Sequence, residues 1–497
     1  MSATRRLWPN HPSHARTLEQ AGLALLGFGA IFAFASIPVD DYDGSLYTVV
    51  ARHLLEDGTF FHLRGLPGAF ASFTEHPPFF FWLLAGVAWL GGEQALPWLM
   101  GLIGAATALL GFVWARRRVG HEAAWLGCVL LMLLESWSRY QARARIDPLL
   151  ALLFTVSVIA LFEARGRARF WMAGGLAAGL GALCKGPPAL GAPVLAALLL
   201  ALDGRAKELA RPAPWVIVAC GALGPPLAFL GYDTLTLDGL YWRGYVDRQL
   251  VASVNGQRLE GHTNMFRSLV SRGWVALPFV LVALGAPFVG ASAAATASVT
   301  EAAKVARRPR WILLAWALFV PAGFSLASRG IWHYNTPAYL PWALLGGVGA
   351  TDLLWRFDAA GRLRALLRHG VLGVGALATL AVPCGWARVA QNPHRFGPLS
   401  SLAGAATKAG DAIFLVDPES GRDLGDQIYL VQRSRREVLP VTPLQFGAVL
   451  ASGQNSYALA GHTWDRPRVA VFRGRALIPA TWALMAEHHE WALAQAP

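Results

Sequence analysis

The stretch "TEHPPFFFWLLAGVAWLGG", residues 74–92, decides how the rest of the chain is threaded. Its later part reads as an apolar helix, yet it opens on Thr74, Glu75 and His76 and runs through Pro77 and Pro78 before the aromatic residues begin. Whether this run crosses a membrane sets the side on which every later loop falls.

Around it, 497 residues are 55% hydrophobic and only 15% charged, against roughly 25% charged in soluble domains. Repeated apolar runs make this a polytopic membrane protein. They fall at 20–38, 95–114, 122–137, 148–163, 170–185, 187–202, 213–231, 273–291, 310–327, 337–354 and 370–388. The net charge of +13 suggests nucleic acid as a partner, but the basic residues sit in short clusters between apolar runs. That placement marks cytoplasmic loops and excludes a nucleic-acid footprint. The four cysteines lie inside apolar segments and are expected to be small buried hydrophobes, not a disulfide or zinc framework.

The clusters are Arg116–Arg118, Arg165 to Arg169, Arg205 to Arg211, Lys304 to Arg310 and Arg356 to Arg368. They share one side only if residues 77–92 do not span, because a span there would put Arg116–Arg118 outside and invert everything after it. Residues 77–92 are therefore expected to lie in the outer interface, where aromatic residues are at home. The expected fold is an all-α polytopic membrane protein of about eleven transmembrane helices plus outer juxtamembrane helices, with a small soluble α/β C-terminal domain. The division is 1–388, with outer loops 39–94 and 232–272, and 389–497. In the tail, β-like text at 412–417, 428–433 and 468–474 alternates with helical text at 476–494.

Polar residues collect in the outer segments. Asp40, Asp41 and Asp43 follow the first apolar run, and "SLYTVVARHLLEDG" has helical spacing with Gly58 as a stop. "SRYQARARIDPLL" carries Arg139, Arg143, Arg145 and Asp147, "LCKGPPAL" carries Lys185, and "SRGIWHYNTPAYLP" carries Arg329, His333 and Tyr334. Taken singly, these residues are explained as helix caps and interface anchors. Together they place carboxylates and cations at one aqueous boundary, on loops that ought to be poor in Lys and Arg. Transfer from a lipid-phosphate donor needs both: a carboxylate takes the acceptor proton, and cations stabilise the departing phosphate.

The run "DGSLYTVVARHLLEDGTF" followed by "TEHPPFFFWL" resembles the opening of the GT-C membrane glycosyltransferases of the protein O-mannosyltransferase and lipid A aminoarabinose transferase superfamily. Asp43, Tyr47, Ala51 and Arg52 match the first family motif, and Glu75, His76, Pro77, Pro78, Trp82 and Leu83 match the second. "RARIDPLL", "GALCKGPPAL" and "SRGIWHYNTPAYLPWALL" resemble later landmarks in the same order, so that the likeness covers roughly residues 20–350.

The resemblance implies that Asp43 is the catalytic base or acceptor-orienting group, with Asp40 and Asp41 as neighbouring alternatives and Glu75 and Asp147 beside it. His76, Arg143, Arg145, Lys185, Arg329 and Tyr334 are implied as donor-phosphate contacts, and Tyr47, Arg52 and His333 as support on the acceptor side. Glu75 with His262 is implied as a possible divalent-metal pair; no cofactor is required. Gly44 stands where the family carries a second acidic residue, which counts against a metal held by adjacent carboxylates. His76 stands where aminoarabinose transferases carry Lys, which counts against assuming that sugar. The expected activity moves a sugar from a polyprenyl-phosphate carrier to a glycan, lipid or protein acceptor on the periplasmic side of a bacterial inner membrane. A lipid-linked-sugar flippase or transporter is the alternative, and an assembly factor without catalysis is a third.

Overall fold

A computed structural model describes residues 42–66, 70–141, 143–252, 263–289, 297–326, 330–357, 399–407, 411–417, 427–428, 430–431, 434–452, 456–459, 462–465, 469–473, 475–488 and 491–496. They divide between two compact units, one made of 1–38 and 94–390 and the other of 39–93 and 391–497. The segment 39–93, expected as an outer loop of the helical part, thus folds with the tail.

The described residues of the first unit are mostly helical. Leu96–Ala115, His121–Leu133, Ile146–Phe162, Ala168–Lys185, Gly191–Leu202, Pro212–Thr236, Leu277–Val289, Ala297–Phe324 and Thr336–Phe357 are its long helices. The expected runs 20–38 and 370–388 lie outside the described residues. Among the described helices, Glu93–Ala115 and Pro212–Thr236 are long and apolar enough to cross a membrane alone, and Met265–Arg272 with Leu277–Gly285 form a pair bent by 104°. The run expected over 122–137 is broken: Leu134 is extended (ψ 109°), and a separate turn of helix follows at Glu135–Gln141.

Small residues let these helices approach closely, as they do where lipid removes any hydrophobic drive between helices. A Cβ on Gly347 would lie 2.1 Å from the Ala123 carbonyl oxygen, and one on Gly221 would lie 2.8 Å from the Leu176 nitrogen. The helix Pro212–Thr236 turns Val216, Leu223, Leu227 and Leu235 outward, a surface suited to acyl chains. Cys220 is exposed on this helix, so it is not the buried hydrophobe expected of it.

Direct contacts sort the helix ends of this unit onto two faces. Arg118 pairs with Glu163 at 2.6 Å and Asp203 at 3.6 Å. Arg205 reaches the Phe162 carbonyl at 2.6 Å, Arg308 the Asp203 carbonyl at 3.2 Å, and Arg310 pairs with Asp352 at 3.0 Å. The basic loops after Ala115, Phe162 and Leu202 and the region of Arg308 and Arg310 therefore share one face, as the charge pattern requires. The opposite ends of Ile146–Phe162 and Ala297–Phe324 lie at the group around Asp147, through Lys185 and Tyr334.

In the second unit, Tyr42–Asp57 is a helix, β1 (Arg64–Leu66) and β2 (Phe70–Ser72) form an antiparallel hairpin, and Phe79–Gly91 is a helix of 13 residues. At 1.5 Å per residue that last helix is about 20 Å long, short of the roughly 30 Å hydrocarbon core. Tail strands β3 (Ala412–Val416), β4 (Glu437–Val441), β5 (Ser456–Leu459), β6 (His462–Asp465), β7 (Val469–Arg473), β8 (Ala483–His488) and β9 (Trp491–Gln495) follow. Five of them build a mixed sheet in the order β4-β3-β7-β9-β8, while β5 and β6 pair separately. Phe414, Leu439, Phe446, Phe472 and Trp482 pack its core.

The strands expected at 412–417 and 468–474 are present. The β-like text at 428–433 is instead helical where described, and Arg435 N donates to the Val431 carbonyl at 3.1 Å. The helix-like text at 476–494 folds as β8 and β9, because antiparallel pairing of β9 against both β7 and β8 overrides the local preference of its Ala, Leu and Met residues.

Candidate active site

Asp147 stands in the first turn of the helix Ile146–Phe162, where an anion is favoured by the helix dipole. Lys185 ends the helix Ala168–Lys185, and its ammonium donates to Asp147 Oδ1. His333 Nε2 lies 3.9 Å from Asp147 Oδ2. On the other edge of that imidazole, Nδ1 is 2.8 Å from the Tyr140 hydroxyl. Arg145 donates to the same hydroxyl and lies over the Tyr140 ring at 4.3 Å. With that oxygen accepting from Arg145, the phenol proton is available to His333 Nδ1, which leaves Nε2–H directed at Asp147.

Asp147, Lys185, His333, Arg143 and Arg145 are all buried. One carboxylate, that of Asp147, stands with the two cations Lys185 and Arg145, a setting that suits a phosphate oxyanion. Tyr334 closes one side, its ring 4.1 Å from the Lys185 ammonium and 4.9 Å from Phe324.

Local chain geometry holds these groups in place. Gly186 follows Lys185 at φ 84° and ψ −153°, a conformation open almost only to glycine. A Cβ there would fall 1.9 Å from the Tyr245 hydroxyl. Tyr245 is set in turn by Asp233, whose carboxylate accepts from Tyr241 N (3.0 Å) and Trp242 N (2.9 Å) and so starts the helix Leu240–Tyr245. The segment bearing His333 is latched where Asn335 Nδ2 donates to the Met265 carbonyl at 2.8 Å and Thr263 N donates to the Gly330 carbonyl at 2.7 Å.

In the second unit, Asp43 lies in the first turn of Tyr42–Asp57 and is half-buried. Tyr47, one turn on, is buried, with its ring edge-on to His76 (5.8 Å) and Phe81 (5.5 Å). Glu75 is exposed and His76 half-buried. Arg52 pairs with Glu93 at 2.7 Å and donates to the Val431 carbonyl at 3.2 Å, which ties the helix to the tail. Asp40, Asp41, His262 and Arg329 lie outside the described residues, and with His262 goes the metal pair. Among the described residues, no group of three or more His, Cys, Asp or Glu side chains is placed to hold a metal ion.

Residues 75–228 match the family model "Dolichyl-phosphate-mannose-protein mannosyltransferase". The undecaprenyl phosphate-α-4-amino-4-deoxy-L-arabinose arabinosyl transferase of Yersinia enterocolitica is 24% identical over 75% of this chain and 67% of its own length. The enzyme of the same name from Pseudomonas aeruginosa is 28% identical over 72% of this chain and 64% of its own length. This chain thus spans about two thirds of the relatives it matches. A solved structure of ArnT from Cupriavidus metallidurans bound to undecaprenyl phosphate superposes with a TM-score of 0.68, covering 96% of this chain and 97% of that one at 15% identity. The archaeal oligosaccharyltransferase AglB from Archaeoglobus fulgidus follows at 0.53, covering 92% of this chain and 69% of that one at 12% identity.

Part of the chain thus matches the mannosyltransferase family model, most of it is similar to aminoarabinose transferases, and its fold is that of the ArnT structure. It is an integral membrane protein, as the sequence reading required. The fold brings five of the sequence-picked residues, Arg145, Asp147, Lys185, His333 and Tyr334, into one network. Two participants escaped the sequence reading, Tyr140 and Tyr245. Tyr140 was in view within "SRYQARARIDPLL", five residues before Arg145, but a tyrosine at a helix mouth reads first as an interface anchor. Tyr245 carries no signal beyond the aromatic text "LYWRGY".

Proposed function

We propose that this protein transfers a sugar from a polyprenyl-phosphate carrier to an acceptor on the periplasmic side of a bacterial inner membrane. One observation carries the reading: a buried, net-positive group built from Asp147, Lys185, Arg145, His333 and Tyr140 at the helix ends away from the basic loops. Ionisable groups at helix mouths suit chemistry on a headgroup better than passage through the bilayer, where transporters keep their charges near the midplane. The match of residues 75–228 to the mannosyltransferase family model and the similarity to the arabinosyl transferases support the same donor class.

In this reading the acceptor oxygen attacks the anomeric carbon as Asp43 takes its proton. The bond from that carbon to the phosphate oxygen breaks, and the carrier leaves as the polyprenyl phosphate. Lys185, Arg143, Arg145 and His76 stabilise the charge on the departing phosphate, Asp147 holds Lys185 and His333 in register, and Tyr334 walls the headgroup. Asp40, Asp41, Glu75, Tyr47, Arg52 and Arg329 are assigned supporting roles around the acceptor and the donor. No step is routed through a metal at Glu75 and His262. Eleven spans, with the tail outside, complete the proposed topology.

The test uses purified protein in liposomes with undecaprenyl-phosphate-linked sugar. Asp43→Asn should lower transfer by about 10²–10⁴-fold, the usual contribution of a general base, with an unchanged melting curve. A folded Asp43→Asn protein that transfers sugar at the parent rate would refute the assignment.

A further inference from the structure

The basic face of the first unit holds a cavity of about 230 Å³, at the opposite helix ends from the Asp147 network. Trp114, Ile312 and Leu313 form its buried apolar floor, and Arg117, Arg118 and Arg308 supply its cationic rim. Asp203 also lines the cavity, and the neighbouring carboxylates offset only part of that rim. Arg118 is engaged by Glu163 and Asp203, and Arg205 also draws on Asp203 at 3.9 Å. Arg117 forms no ion pair among the described residues, and Arg308 donates only to a backbone carbonyl, that of Asp203. Both guanidiniums are exposed.

The turn below Arg308 is shaped to admit it. Gly204 has φ 78°, and a Cβ there would lie 3.2 Å from Arg308 Nη1. Two guanidiniums without carboxylate partners, above an indole and aliphatic floor, suit a phosphodiester whose other end is apolar. Basic pockets between membrane helices on the cytoplasmic side recognise lipid headgroups by this combination. A free phosphate would use the same guanidiniums but has no need of the apolar floor.

We infer that this cavity binds the phosphate of an anionic phospholipid in the leaflet bordering the basic loops, apart from the donor site and independently of the proposed reaction.

The probe is phosphatidylglycerol against phosphatidylcholine, added in mixed micelles to the full-length protein and read by native mass spectrometry. The parent should retain phosphatidylglycerol at least tenfold better, and Arg117→Gln/Arg308→Gln should lose about thirtyfold of that retention, roughly fivefold per guanidinium. Gly204→Ala, which pushes Arg308 aside, should also lower it and serves if the double variant does not fold. Equal retention of both lipids, or retention unchanged in the variants, overturns the inference. If sn-glycerol 3-phosphate raises the melting temperature as much as phosphatidylglycerol does, the lipid source is wrong and the cavity takes a soluble phosphate ester.

Discussion

Lys185 and Asp147 form a buried ion pair, and such pairs are asymmetric in their energetics. Removing one partner strands the other charge in low dielectric at a cost of about 3–5 kcal/mol, whereas removing both is close to neutral. Lys185→Met should therefore lower stability by about that amount, and Asp147→Asn/Lys185→Met should regain most of it while sugar transfer stays lost. Chemical denaturation of the three variants beside a transfer assay checks this; a double variant as unstable as Lys185→Met would contradict it. His53 makes a separate prediction. Burial is the main cause that lowers its pKa, Glu437 opposes this, and the charge of Arg64 adds to the lowering. The folded state then prefers neutral His53, so its contribution to stability is present above the unfolded value of about 6.5 and is lost as pH falls below it. Melting temperature should drop on moving from about pH 7.5 to about pH 5.5, and His53→Leu should flatten that slope; parallel slopes would rule His53 out as the cause. Among these residues the sequence disclosed charge but not partnership. Lys185 and His333 stood out as cations on outer loops, whereas Tyr140 meets His333 across 193 positions and carries no local mark of it.

At the scale of elements, the turn after the helix Ala168–Lys185 couples backbone to site. Gly186→Ala would place a methyl against the Tyr245 hydroxyl in a backbone region that L-residues avoid, at a cost of about 1–3 kcal/mol. Gly186→Ala should lower both melting temperature and transfer, and adding Tyr245→Phe should restore part of each by clearing the hydroxyl. No recovery in the double variant would mean that backbone strain alone is responsible. Helix text was the most legible part of the sequence: of the expected runs that fall on described residues, nearly all became helices, since apolar runs bounded by charge, Pro or Gly leave little alternative. The tail was less legible. Residues 476–494 carry helix-favouring Ala, Leu, Met and Glu, yet pairing across β7, β9 and β8 makes them strands. The helix-or-strand outcome there rests on partners distant in sequence.

For the whole molecule, charge patterning carried more information than any motif. The contacts of Arg118, Arg205, Arg308 and Arg310 put those basic residues on one face, while Arg362, Arg364 and Arg368 lie outside the described residues. Residues 77–92, expected from that patterning not to span, hold a helix of 13 residues, Phe79–Gly91. What it could not reveal was that residues 39–93 belong with the tail. Arg64 joins Glu437 and Asp57 at one ionic cluster, and His53 reaches Glu437 at 3.5 Å. The two parts of this unit are made far apart in time. At roughly 5–20 residues per second, the ribosome needs about 15–70 s between the first loop and β4. During that interval the first loop carries Glu56, Asp57 and Arg64 without the strand that completes their cluster, so a late stretch of the chain finishes an early one. A chain stopped short of β4 would be inserted in the membrane and still lack a mature first loop.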